Sequence, residues 1–178
     1  MFSYNDQFYR VPTNYWKISQ MGFVSEDYTE EDSISSGYEE ILELYDEDRC
    51  IRVEVRIKNN TDHEILLKEC TVDYFYIENT TVYDESTIFL DFTFCNKKLS
   101  FESSYEDVEA YLGTPYWHYR DYSEEGYEVD LYQWMYYPEK ATVLEEQEDI
   151  EFVEIRFLSG VIESVSIEKR AYEEKYIE

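Results

Sequence analysis

Apolar and polar residues alternate strictly over Ile51-Arg52-Val53-Glu54-Val55-Arg56-Ile57, apolar on odd numbers and charged on even. A period of two predicts a half-buried β-strand. Lys58-Asn59-Asn60-Thr61-Asp62 follows as a turn. Residues 64–77 predict a second strand region, with Leu67, Cys70, Val72, Tyr74 and Tyr76 among its apolar members. After a polar stretch from Glu78 to Ser86, Ile88, Leu90, Phe92 and Phe94 share one strand face. Upstream, residues 1–24 are aromatic, and Phe2, Tyr4, Phe8, Tyr9, Tyr15, Trp16 and Phe23 supply a strand or two. Between these lies a different period. Tyr38, Ile41, Leu42 and Tyr45 fall at i, i+3, i+4 and i+7, one face of a helix, and Ser36 with Glu39 reads as a capping box. Residues 25–48 hold eleven acids and no Lys or Arg, so this stretch predicts an amphipathic helix with a wholly acidic outer face.

The second half repeats the order. Ser103-Ser104, with Glu106 or Asp107, predicts a capped helix whose stripe is Tyr105, Val108 and Leu112. Gly113 ends it and Pro115 prevents its restarting. Residues 127–137 alternate as a strand, with Val129, Leu131 and Met135 on one side and Tyr132, Trp134 and Tyr136 on the other. Glu139 to Asp149 reads as a charged loop. Val153, Ile155 and Phe157, then Ser159-Gly160, then Val161, Val165 and Ile167 predict a hairpin. Helix then antiparallel strands, twice over, is an α+β pattern, with short helices packed on one face of antiparallel sheet. The halves divide as 1–98 and 99–178. Periodicity leaves both one continuous sheet and two lobes open.

The run Ser103-Ser104-Tyr105-Glu106-Asp107-Val108-Glu109-Ala110-Tyr111-Leu112-Gly113-Thr114-Pro115 resembles the helix ending of the SmpA/OmlA (BamE-like) and β-lactamase-inhibitor-like modules. The likeness spans residues 103–167, closing on the hairpin around Gly160, and the first half reads as a divergent copy without the Gly-x-Pro signature. It implies a short helix followed by a strand meander. It also implies a non-catalytic interaction module, since such modules are mostly not enzymes and some inhibit them.

Charge changes the picture most. Forty-two Asp and Glu stand against 15 Lys and Arg, a net charge of −27 on 178 residues. Over a folded surface of roughly 9,000 Å² this is about one unbalanced negative charge per 300–400 Å². Such a field selects cationic partners and repels nucleic acid and anionic membranes. Disorder is excluded by 20 Tyr, 10 Phe and 3 Trp, with only 5 Gly and 3 Pro. Tyrosine suits the boundary between core and water and is enriched at binding hot spots. Three cysteines, Cys50, Cys70 and Cys95, are an odd number without a CxxC pair, which fits small buried residues in a reducing cytoplasm. The N-terminal stretch has no basic-then-apolar leader pattern.

Catalytic chemistry has little to draw on. His63 and His118 are the only imidazoles, and HExxH, GxSxG, P-loop and GxGxxG patterns are absent. His63 reads as solvated, and His118, in an aromatic loop, as a packing or partner-contact residue rather than a catalytic one. Asp46-Glu47-Asp48 and Glu145-Glu146-Gln147-Glu148-Asp149 lack EF-hand spacing. No cofactor or metal site is expected. The sequence favours a non-enzymatic, acidic binding protein of the cytoplasm. Its leading form is an immunity-type inhibitor of a basic bacterial toxin or nuclease, and its partner is a basic protein rather than nucleic acid or membrane. A nucleic-acid mimic aimed at a DNA-binding protein, a hydrolase using paired carboxylates, and a structural or accessory domain with no dedicated enzyme partner are the other readings. The expected contact residues are Tyr28, Glu39, Glu40, Glu43 and Asp46 in the first half. In the second half they are Trp117, Tyr119, Tyr122, Glu124, Glu125 and Trp134.

Overall fold

The computed structural model describes residues 2–4, 7–46, 51–79, 92–94, 99–124, 126–136 and 150–170. In chain order the strands are β1 (Phe2–Tyr4), β2 (Gln7–Tyr9), β3 (Thr13–Asn14), β4 (Ser33–Ile34), β5 (Glu39–Asp46), β6 (Ile51–Lys58) and β7 (Ile65–Leu66). They continue with β8 (Thr71–Asn79), β9 (Phe92–Phe94), β10 (Leu99–Ser100), β11 (Trp117–Tyr122), β12 (Glu128–Tyr136), β13 (Ile150–Leu158) and β14 (Val161–Arg170). Two α-helices, α1 (Tyr15–Ser19) and α2 (Tyr105–Leu112), interrupt them. The main sheet has the order β11-β12-β13-β14-β8-β6-β5, and β3 pairs with the part of β8 that β14 leaves free. Every pairing in it is antiparallel. A smaller sheet, β10-β9-β1-β2, and the pair β4-β7 complete the described strands.

Alternation explains most of these strands. Val53, Val55 and Ile57 of β6 are fully buried, while Arg52, Glu54, Arg56 and Lys58 turn to the opposite face. In β12 the buried side is Tyr132 and Trp134. Their neighbours Ile155 and Val153 of β13 are buried with them. The β13–β14 connection is Ser159-Gly160, with φ of 50° and 83°. Two positive φ values make the two-residue turn whose twist suits a hairpin. Helix α2 forms where its caps predict. Ser104 Oγ accepts from the Asp107 amide, Asp107 reciprocates, and Gly113 closes the helix at φ 81°.

The two halves meet along β8 and β14. Phe75 faces Ile167 and Ile77 faces Val165 across this pair, and all four are buried. On the other face Arg56 of β6 reaches over β8. Its Nε donates to Asp73 Oδ1 at 2.7 Å and its Nη2 to Glu168 Oε1 of β14 at 2.7 Å. Burial works against the Arg56 charge, yet these two hydrogen-bonded carboxylates raise its pKa above the ordinary value.

The α+β expectation is corrected by this architecture. Antiparallel strands dominate, and the two helices have only 5 and 8 residues. The acidic helix expected within 25–48 is instead mainly strand β5. Glu39-Glu40-Ile41-Leu42-Glu43-Leu44-Tyr45 satisfies both periods, and the neighbour decides. Leu42 and Leu44 alternate into the core opposite Val55 and Val53 of β6. Ser36 caps nothing, because its hydroxyl donates to the Thr61 carbonyl at 2.7 Å. Gly37 at φ 72° turns the chain into the strand.

Phe75→Ala, which empties the seam between the halves, should cost about 3–5 kcal/mol. Denaturant unfolding checks this. Trp fluorescence, which reports on Trp16 in the first half and on Trp117 and Trp134 in the second, should change in the same shifted transition as the far-UV circular dichroism.

Candidate functional site

The ends of the main sheet are its most accessible parts. At one end, β11 is paired only with β12, and all six of its residues are exposed. Alternation splits them. Trp117, Tyr119 and Asp121 lie beside Gln133, Leu131 and Val129; His118, Arg120 and Tyr122 lie beside Tyr132, Asp130 and Glu128. The Trp117 and Tyr119 rings are parallel within 5°, their centres 5.9 Å apart. The Tyr119 hydroxyl donates to Asp121 Oδ2 at 3.0 Å. That bond raises the Tyr119 pKa, whereas the Tyr122 amide and then the Tyr119 hydroxyl lower that of Asp121. Tyr116 and Tyr127 are also exposed, and Tyr122 is 64% exposed.

On its other side β11 is pinned. Asp130 of β12 points to the core face and is only 7% exposed. Arg120 grips it with both arms of the guanidinium, Nε to Oδ1 at 2.7 Å and Nη2 to Oδ2 at 2.9 Å. His118 Nε2 lies 2.8 Å from the same Oδ1. The His118 ring stacks on Tyr132 at 4.2 Å, and Tyr132 in turn stacks on Tyr105 of α2 at 4.4 Å. Burial acts to raise the Asp130 pKa, but the Arg120 and His118 contacts prevail and hold it below the usual Asp value. This lattice ties down the strand that presents Trp117 and Tyr119 to solvent.

At the far end stands β5. Glu40 accepts from the Tyr28 hydroxyl at 2.8 Å and from the Tyr38 hydroxyl. Tyr28 has its pKa raised, chiefly by Tyr38 and then Glu40. Glu43 accepts from Tyr45 at 2.6 Å and from Arg52 at 2.8 Å, and Tyr45 first, then Arg52, lowers its pKa. A slot of about 270 Å³ opens between Ser25–Tyr28 and β5. Beside it, the polar face of the sheet carries interleaved charges. Lys58 contacts Asp73 at 2.8 Å and Glu39 at 3.2 Å, and Arg156 contacts Glu163 at 2.6 Å.

The expected contact residues therefore fall into two separate groups. Tyr28, Glu39, Glu40 and Glu43 gather around β5, and Trp117, Tyr119 and Tyr122 around β11, with Glu124 exposed in the turn that follows. Six strand spacings lie between the two edges, roughly 28 Å at 4.7–4.9 Å each. Trp134 belongs to neither group. It is 2% exposed and its Nε1 donates to the Gly113 carbonyl at 2.8 Å, so it holds α2 against β12. Asp46 ends β5, but its side chain, like Glu125, lies outside the described residues, as do Glu47, Asp48 and 145–149. The sequence reading missed the His118–Asp130–Arg120 lattice. Its signal was an Asp on the ring-bearing side of β12.

No family model matches this chain, and no curated protein or solved structure matches it either. Among the described residues, no group of three or more His, Cys, Asp or Glu is placed to hold a metal ion. No helix among them is long and apolar enough to cross a membrane. Cys70 is a buried free thiol, and Cys50 and Cys95 lie outside the described residues.

Asp130→Asn should destabilise the fold by about 1–2 kcal/mol, because a charge-assisted fork becomes a neutral contact on a half-exposed Arg. The sign follows from the depressed folded pKa of Asp130. Its contribution is whole above the unfolded Asp value of about 3.9 and is lost as pH falls through the folded value. Urea titrations should give a constant difference between wild type and variant from about pH 7 to 5, shrinking below about pH 4.

Proposed function

We propose that this chain is a non-enzymatic cytoplasmic binding protein that neutralises a basic bacterial toxin or nuclease, in the manner of an immunity protein. The observation that carries this reading is β11, a fixed edge strand with every residue exposed and a stacked Trp117–Tyr119 pair facing outward. Large amphipathic rings held in one geometry are the usual anchors of protein interfaces. Acidic groups lie near them: Asp121 on the same side of the strand and Glu124 in the turn after it. The net charge of −27 speeds encounter with a cationic surface and rejects others. A helix ending in Gly113-Thr114-Pro115, followed by the β11–β14 meander, adds the support of a resemblance to interaction modules.

A protein partner fits better than mimicry of nucleic acid. Mimicry asks for an unbroken row of carboxylates spaced like phosphates. On the polar face the carboxylates are interleaved with Arg52, Arg56, Lys58 and Arg156. Aromatic anchors also have no counterpart in a phosphate backbone.

Isothermal titration of the full chain against candidate basic toxins and nucleases tests the reading. Binding should weaken about tenfold or more between roughly 50 and 300 mM salt. Trp117→Ala with Tyr119→Ala should weaken it by about thirtyfold. Absent or salt-indifferent binding, or a double variant that binds like wild type, overturns it.

A further inference from the structure

The β5 end of the sheet offers a row of unused main-chain groups beside a slot of carboxylates. Val24 and Tyr45 exchange both main-chain hydrogen bonds across the outer side of β5, at 3.1 and 2.9 Å. In an antiparallel ladder, successive residues turn their N–H and C=O to opposite neighbours. Tyr45 therefore sets the phase: Leu44 and Leu42 bond toward β6, while Glu43 and Ile41 point outward. The Asn59 amide donates to the Tyr38 carbonyl at 2.9 Å, which agrees with that phase. Beyond Val24 the main-chain pairing stops, and residues 25–28 run beside β5 on the far side of the slot. Among the described residues, no strand covers the outer side at Ile41 and Glu43.

An edge of this kind accepts an added strand, whose main chain supplies affinity and whose side chains supply selectivity. Selectivity here is written in charge. The slot between Ser25–Tyr28 and β5 is lined by Glu26, Asp27, Glu40 and Glu43, with no Lys or Arg. Ile41, 54% exposed, offers apolar contact between them. A second copy of the chain would bring another −27 and be repelled. An extended basic segment gains both the ladder and the charge.

We propose that the outer edge of β5 takes up an extended Lys/Arg-rich segment of a protein as an added strand. Its main chain bonds Ile41 and Glu43, and its basic side chains lie over Glu26 and Asp27. This rests on the reading that the partner is cationic, and not on the aromatic residues of β11.

A short peptide of alternating Lys and Val is the probe, added to the full chain at low salt. A second peptide of equal charge is N-methylated at every other residue, which blocks one row of main-chain hydrogen bonds. Amide exchange followed by NMR should slow about tenfold or more at Ile41 and Glu43 with the first peptide, and the methylated one should bind about tenfold more weakly. Ile41→Pro removes one outward N–H without touching the β5–β6 ladder and should give a similar loss. Trp117→Ala with Tyr119→Ala should leave peptide binding unchanged, so this proposal and the β11 reading fail separately. Equal affinity for the two peptides, or no slowing at the two amides, overturns it.

Discussion

The pairing of β8 with β14 is the constraint on which the rest of this structure depends. These strands are far apart in sequence, and their contact brings the β5–β6–β8 and β11–β14 meanders into one sheet. Phe75, Ile77, Val165 and Ile167 bury one side of it. Arg56 ties the other side through Glu168, which is only 5% exposed. A buried carboxylate is tolerated only with a charged partner in good geometry, so this ion pair discriminates against any register that separates the two groups. With β8 and β14 in the middle, β5 and β11 become the ends. The position of both candidate surfaces is thus a consequence of the seam.

The seam also bears on how the charge is distributed. The chain has few cations, and several of the described ones are paired within it. Arg52, Arg56 and Lys58 sit among Glu39, Glu43, Glu54, Asp73 and Glu168 on the polar face. Arg120 is held by Asp130, and Lys68 by Glu31. Cations engaged in the sheet do not screen carboxylates elsewhere. The charged residues lining the slot beside β5 are all acidic, with Glu43 alone among them bonded to a sheet cation, Arg52, and the β11 turn keeps Glu124 exposed.

Much of the fold was legible where a local rule acted alone. Ile51 to Ile57 permits only a strand period, Ser104 to Gly113 carries both ends of a helix, and Ser159-Gly160 permits a tight hairpin turn. The failure at β5 came from a stretch in which both periods are satisfied. Leu42 belongs to the helical stripe and to the alternating one, and only the presence of β6 across from it settles the choice. Such a decision is tertiary and cannot be made by propensity. The site was legible in part for a related reason. Ring-rich β11 and acid-rich β5 could be named, but which rings would be buried depends on what covers them. Trp134 looked like an anchor until α2 placed the Gly113 carbonyl over its indole.

Two sheet ends that no strand among the described residues covers, Val24 beside Tyr45 apart, would ordinarily invite self-association, which natural proteins resist with lysines, prolines or bulges. This chain has no Lys in β5 or β11. Its protection is the field itself. Two copies approaching edge to edge add like charges at close range, and the repulsion grows as the edges come together. The same field has the opposite sign of effect on a cationic chain. On the proposed reading, the field that opposes pairing between copies is also what would favour a cationic partner. Both edges are held in place, β11 by Asp130 and Tyr132 and β5 by β6 and Val24, so the main-chain and ring geometry of each is set before anything binds. Of the segments that could meet such an edge, the proposed basic extended one would complement both the charge and the ladder.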